Sequence, residues 1–77
     1  MTLFNYISEN LDTIKKEIRI GLISSSTLKH WQMYARYDYY KRIGNKTTDA
    51  LDFACIDCGI TNRSWGWVIK KRMENEL

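Results

Sequence analysis

An all-α fold, built as one small four-helix domain over residues 1–77, follows from three features of the sequence. Proline is absent and only four glycines are present, whereas an average chain of this length carries about 4 prolines. An all-β domain needs frequent Gly/Pro turns, and this composition cannot punctuate one. Apolar residues recur at steps of three and four through the first segment, the spacing of a helical stripe. The chain is also too short to bury a second core. At 44% hydrophobic and 27% charged residues, it has the composition of an ordinary folded domain, neither disordered nor membrane-spanning. Two cysteines three positions apart exclude a disulfide scaffold. Met1 to Asn5 carries no charged leader, and Glu9 and Asp12 interrupt any apolar run. A cytoplasmic protein with no membrane partner is therefore expected.

The first predicted helix spans Thr2 to Ile20. Its stripe is Phe4, Ile7, Leu11, Ile14 and Ile18, with Thr2 as N-cap, Lys15, Lys16 and Arg19 loading the far end, and Gly21 as the stop. Such a stripe serves either as an internal packing face or as a two-stranded seam joining two copies in a homodimer. The Ser24–Thr27 cluster of capping residues opens a second helix that runs to Ile43 and stops at Gly44-Asn45. Trp31, Tyr34, Tyr37, Tyr39 and Tyr40 cannot all share one face of it. Either it is a central helix touched from several sides, or some of these rings, with Arg36, Lys41 and Arg42, form a contact surface for a partner or a phosphate backbone.

A third helix starts near Thr47-Thr48-Asp49, carries Ala50, Leu51, Phe53, Ala54 and Cys58, and ends at Gly59. A fourth begins at Ile60-Thr61 with Thr61 as N-cap and continues to about Met73, leaving Glu74 to Leu77 as a frayed tail. Residues 1–45 thus supply two supporting helices, and residues 46–73 a helical hairpin.

The stretch from Asp49 to Arg72 resembles a helix-turn-helix DNA-binding motif, of the small bacterial or phage kind found in resolvase-like and repressor-like modules. The resemblance implies that Gly59 supplies the left-handed turn residue. Ala54 and Cys55 are then the small residues that permit close helix approach, and Ile60 fills the crevice between the helices. Trp65 and Val68 take the places of the usual buried aliphatics on the last helix. Two positions depart from the pattern. Trp65 needs a larger pocket than the usual valine or isoleucine, and Gly66 sits mid-helix, where it costs about 1 kcal/mol relative to alanine. A glycine there allows close approach to another surface, either DNA or a side chain of the second helix.

Charge follows the same division. From Lys46 to Asp57 one basic residue stands against three acidic ones, a net of −2; from Cys58 to Met73 there are four basic residues and no acidic one, a net of +4. On the resemblance, the fourth helix enters the major groove. Asn62, Arg63 and Ser64, with Trp67 in addition, are candidates for base edges: Arg can bridge guanine O6 and N7, and Asn adenine N6 and N7. Thr61 at the helix start, and Lys70, Lys71 and Arg72 near its end, are candidates for phosphates. The Lys-Lys-Arg run is equally accounted for as cations at a helix C-terminus.

Other chemistry is poorly provided for. Cys55-Ile56-Asp57-Cys58 is formally a C-x-x-C, but it lies at the C-terminal pole of its helix, where the dipole does not favour a thiolate. A zinc site would need two more ligands, and His30 is the only histidine. Both cysteines are expected as small buried packing residues, and His30 as an ordinary helix-surface residue. No nucleophile with a plausible base, no Gly-rich phosphate loop and no carboxylate cluster appears. The sequence therefore leads to a non-enzymatic protein without cofactor, metal or small-molecule substrate, with double-stranded DNA as its partner. Transcriptional regulation or a mobile-element DNA transaction would be its setting. The alternative is a protein-interaction module in which the aromatic surface of the second helix and Trp67, rather than the basic face, form the contact.

Overall fold

The computed structural model describes residues 1–77 as five helices and no strands: α1 (Leu3–Glu9), α2 (Leu11–Arg19), α3 (Ser26–Arg42), α4 (Thr47–Asp57) and α5 (Arg63–Met73). No helix is long and apolar enough to cross a membrane.

The helix expected over Thr2 to Ile20 is divided in two at Asn10. Asn10 adopts φ −125° and ψ 27°, its Nδ2 donates to the Tyr6 carbonyl at 2.8 Å, and its backbone N–H donates to Ile7 at 3.1 Å. A short polar side chain has taken a carbonyl that the backbone would otherwise use, which is how asparagine breaks helices. The cap at the start is as expected, with Thr2 Oγ1 accepting from the Asn5 N–H at 3.2 Å. Despite the break, the stripe stays on one side. Ile7 and Ile14 are buried, and Phe4, Leu11 and Ile18 pack against the core, so the stripe is an internal face.

The α3 helix starts at Ser26, with Ser24 Oγ accepting from the Ser26 N–H at 3.3 Å. Helices α1, α4 and α5 all pack on it. Met33 and Tyr37 are buried, Phe4 lies 6.1 Å from Trp31 and 4.7 Å from Tyr34 between ring centroids, and Trp31 Nε1 donates to Ser8 Oγ at 2.9 Å. Tyr40 lies 5.3 Å from Phe53 on α4, so four of the five aromatics are engaged from several sides and only Tyr39 is exposed. Ile7, Met33, Leu51, Ile69 and Met73, drawn from α1, α3, α4 and α5, form the fully buried centre. Removing each such side chain from water contributes roughly 1.5–3 kcal/mol.

The tail expected to fray is instead pinned. The Leu3 N–H donates to the Asn75 carbonyl at 2.9 Å and the Leu77 N–H to the Met1 carbonyl at 3.0 Å, while the Met1 ammonium meets Glu76 at 3.0 Å. Glu74 accepts from Tyr34 Oη at 2.9 Å and from Lys70 Nζ at 2.8 Å. The open N–H at the start of α1 is thus satisfied by a carbonyl of the segment that follows α5.

Candidate functional site

Helix α4 ends in a left-handed glycine cap. Gly59 has φ +71°, its N–H donates to the Ile56 carbonyl at 3.2 Å, and the Ile60 N–H donates to the Cys55 carbonyl at 2.8 Å. This pair of bonds satisfies two carbonyls that the helix end leaves open, and the residue after the glycine commonly packs back on the helix. Ile60 does so, half-buried against the core, and Ala54 and Cys55 are buried beside it. Gly59 therefore adopts the left-handed conformation expected of it.

Helix α5 starts one residue later than expected. Asn62, not Thr61, is the N-cap: its Oδ1 accepts from the N–H groups of Ser64 at 2.9 Å and Trp65 at 3.4 Å. Thr61 is exposed in the connection. That role occupies the acceptor half of any bidentate grip Asn62 could place on a base.

The face of α5 turned inward is also different. Gly66, Ile69 and Met73 are buried, whereas Trp65 is 47% and Val68 52% exposed. The assignment of Trp65 and Val68 to the motif core is thus corrected by one residue. The connection between α4 and α5 runs from Cys58 to Asn62, longer than the 3–4-residue turn usual for such a crossing. One added residue delays the helical phase by one position, about 100° of rotation.

Gly66 now finds its reason. A Cβ at this position would lie 2.5 Å from Cys55 Sγ and 3.7 Å from Leu51 Cγ. The surface requiring glycine is α4, rather than DNA or the second predicted helix, now α3. Cys58, expected to be buried, is exposed, and both cysteines are free. Burial, then the Asp52 carboxylate, pushes the Cys55 thiol up from its ordinary pKa; burial, then Asp57, does the same for Cys58. Neither is an activated nucleophile.

The cations divide according to the side of α5 they occupy. Lys70 is only 17% exposed, pairs with Glu74 at 2.8 Å, and holds its ammonium 5.6 Å and 5.7 Å from the ring centroids of Tyr37 and Trp67. Arg72 Nη1 donates to His30 Nδ1 at 2.8 Å and Nη2 to Thr27 Oγ1 at 3.4 Å. Neither Lys70 nor Arg72 is thus the free phosphate anchor expected of it; both tie α5 into its surroundings. Lys71 alone of the three is exposed with neither an ion pair nor a side-chain hydrogen bond within the chain. Consecutive helical residues point about 100° apart, so a run of three cannot share a face.

At the other end of α5, Arg63 Nη2 donates to Asp52 Oδ2 on α4 at 2.6 Å, an exposed pair that holds the guanidinium at the start of the helix. Ser64 and Trp67 are exposed on the same helix. The outer side of α5 therefore presents Ser64, Trp67, Val68 and Lys71, with Arg63 at its edge.

His30 is more than a surface histidine. It is half-buried, meets Trp65 edge-on at 5.8 Å and accepts from Arg72. Burial and, after it, the Arg72 charge lower its pKa from the ordinary 6.5. Asp52, Thr27, His30 and Glu74, which engage the cations, were absent from the expected site. Only Glu74 carried a readable signal, an i,i+4 spacing from Lys70. The chain matches no known family description, no curated protein and no solved structure.

Proposed function

We propose that this protein binds duplex DNA without catalysing a reaction, with α4 and α5 acting as a helix-turn-helix and the outer side of α5 entering the major groove. The observation that carries the reading is the seating of α5. A glycine-capped turn and the Gly66–Cys55 contact fix α5 on α4, and its outer side is left uncovered by the rest of the chain. A recognition helix needs that combination of a rigid back and a free front.

Arg63, Ser64 and Trp67 are the residues assigned to base edges, and Lys71 and Thr61 those assigned to phosphates. Asn62 caps the helix that presents them. The Arg63–Asp52 pair is no obstacle, because an exposed ion pair is worth about 0–1 kcal/mol, whereas a good bidentate contact to guanine discriminates by about 1–3 kcal/mol. Transcriptional regulation or a mobile-element transaction is the setting that fits such a module.

The test is a fluorescence-anisotropy titration with random duplex DNA at about 50 and 200 mM salt, the range over which phosphate contacts reveal themselves. Binding that weakens with salt, and a lower affinity for a selected site in Arg63→Ala, are the expected results. No binding at the lower salt overturns the reading.

One observation favours a second reading, a protein-interaction module. Trp67 and Val68 are 41% and 52% exposed beside each other on the outer side of α5, while three of the four α5 cations are already engaged within the chain. If Trp67→Ala abolishes capture of a protein partner and Arg63→Ala leaves DNA binding unchanged, this second reading replaces the first.

A further inference from the structure

A second feature lies away from the outer side of α5. Between α3 and the α4–α5 turn the surface opens into a cleft of about 960 Å³, near the upper end of the roughly 300–1,000 Å³ typical of small-molecule sites. Trp65 and Tyr39 stand as partly exposed aromatic walls, and Lys29, His30 and Arg36 bring positive or donor groups to it.

Among the charged and ring N–H groups here donors outnumber acceptors, while Ser26, Gln32 and Tyr39 can both donate and accept. Asp57 is the only carboxylate lining the cleft, and its Oδ2 already accepts from Tyr40 Oη at 2.7 Å with Arg36 Nε at 3.9 Å. Lys29 has no carboxylate within ion-pair distance. The tautomer of His30 follows from its neighbour: a guanidinium only donates, so with Arg72 Nη1 at 2.8 Å Nδ1 must accept and the proton resides on Nε2. That Nε2–H, like the Trp65 indole N–H, has no hydrogen-bond partner within the chain. The cleft thus combines flat aromatic surface, unused donors and a positive balance. An aromatic ring stacks on such walls, and a carboxylate answers donors and cations together.

We propose that this cleft is a binding site for a small aromatic carboxylate, its ring against Trp65 and Tyr39 and its carboxylate toward Lys29 and His30 Nε2–H. The assignment stands independently of the DNA reading, since it uses none of the outer-side residues of α5.

The test titrates the ¹⁵N-labelled full chain with 2-naphthoate and, separately, with the uncharged 2-naphthalenemethanol, following the three indole N–H signals and the backbone amides by NMR. Saturable shifts centred on Trp65 and the α3 side of the cleft are expected, with the Trp67 indole unmoved. The carboxylate should bind roughly three- to fivefold more tightly than the alcohol, the size of an exposed charge contact. Lys29→Ala, a change at an exposed position, should remove that preference and leave the alcohol's affinity as it was. Equal affinities in the unaltered protein overturn the proposal without requiring any variant to fold. Absence of saturation, shifts centred away from the cleft, or a preference that survives Lys29→Ala overturn it as well.

Discussion

The two sides of α5 carry similar residues and treat them in opposite ways. Its inner and flanking side buries Ile69 and Met73 and satisfies Lys70 through Glu74 and Arg72 through His30 and Thr27. Its outer side leaves Ser64, Trp67, Val68 and Lys71 to solvent. Hydrophobicity and charge in the sequence do not distinguish Ile69 from Val68, or Lys70 from Lys71. Helical phase does. A cation that the fold already engages at a half-buried position has less to offer an external partner, so a count of basic residues overstates what α5 can offer to phosphate.

Truncating adjacent residues on opposite sides of α5 should separate the two sides most sharply. Ile69→Ala should cost about 2–5 kcal/mol, the loss of a fully buried side chain, whereas Val68→Ala should stay within about 0.5 kcal/mol, as surface changes do. Chemical denaturation reads both, and the reverse order would restore the register in which Val68 faces inward. Gly66→Ala should come next. Despite alanine's better helix propensity it should destabilise by about 1–3 kcal/mol through overpacking, and Cys55→Ala in the same chain should recover most of that loss. If Gly66→Ala stabilises the protein instead, the close seating of α5 on α4 is wrong.

On the functional side, Lys71→Ala should reduce the slope of log affinity against log salt by about 0.9, while Lys70→Ala should change it little. An equal effect of the two would show that Lys70 leaves Glu74 to reach the phosphates. The smallest effects are expected from pH. The His30 pKa is lowered in the folded chain by burial first and by Arg72 second, so its contribution to stability is complete above pH 6.5 and is lost as pH falls toward the lowered value. His30→Gln should flatten the acid limb of a stability–pH curve in that window. Tyr34 has the opposite sign: burial, then donation to Glu74, raises its pKa above the ordinary 10.0, so its contribution is present below pH 10 and is lost in stronger base. Tyr34→Phe should remove that alkaline limb.

What was legible in the sequence was local. Thr2, Gly21, Gly44 and Gly59 mark helix ends through bonds among residues a few positions apart, and a reader of sequence sees all the participants. The stripe from Phe4 to Ile18 was readable as one face, but the break at Asn10 was not, because it depends on a single side chain outcompeting a single backbone donor. The turn glycine and the small residues at 54 and 55 were legible for the same local reason. The phase of α5 was not, since one residue in the length of the connection rotates every side chain after it. The Arg63–Asp52 and Arg72–His30 contacts, and the pairing of the chain ends, join residues remote in sequence on different elements, and periodicity carries no information about them.

Gly66 and Cys55 share one volume. The thiol lies so near where a methyl group would begin that the two positions cannot enlarge independently. Any descendant of this chain that gains a side chain at position 66 must shrink position 55, turn its thiol aside or tilt the last helix, and a tilt changes the angle at which everything on the outer side is displayed. In evolutionary terms the pair is a single coupled site, and its joint variation would mark the relatives that have kept this display angle even where the exposed residues have changed beyond recognition.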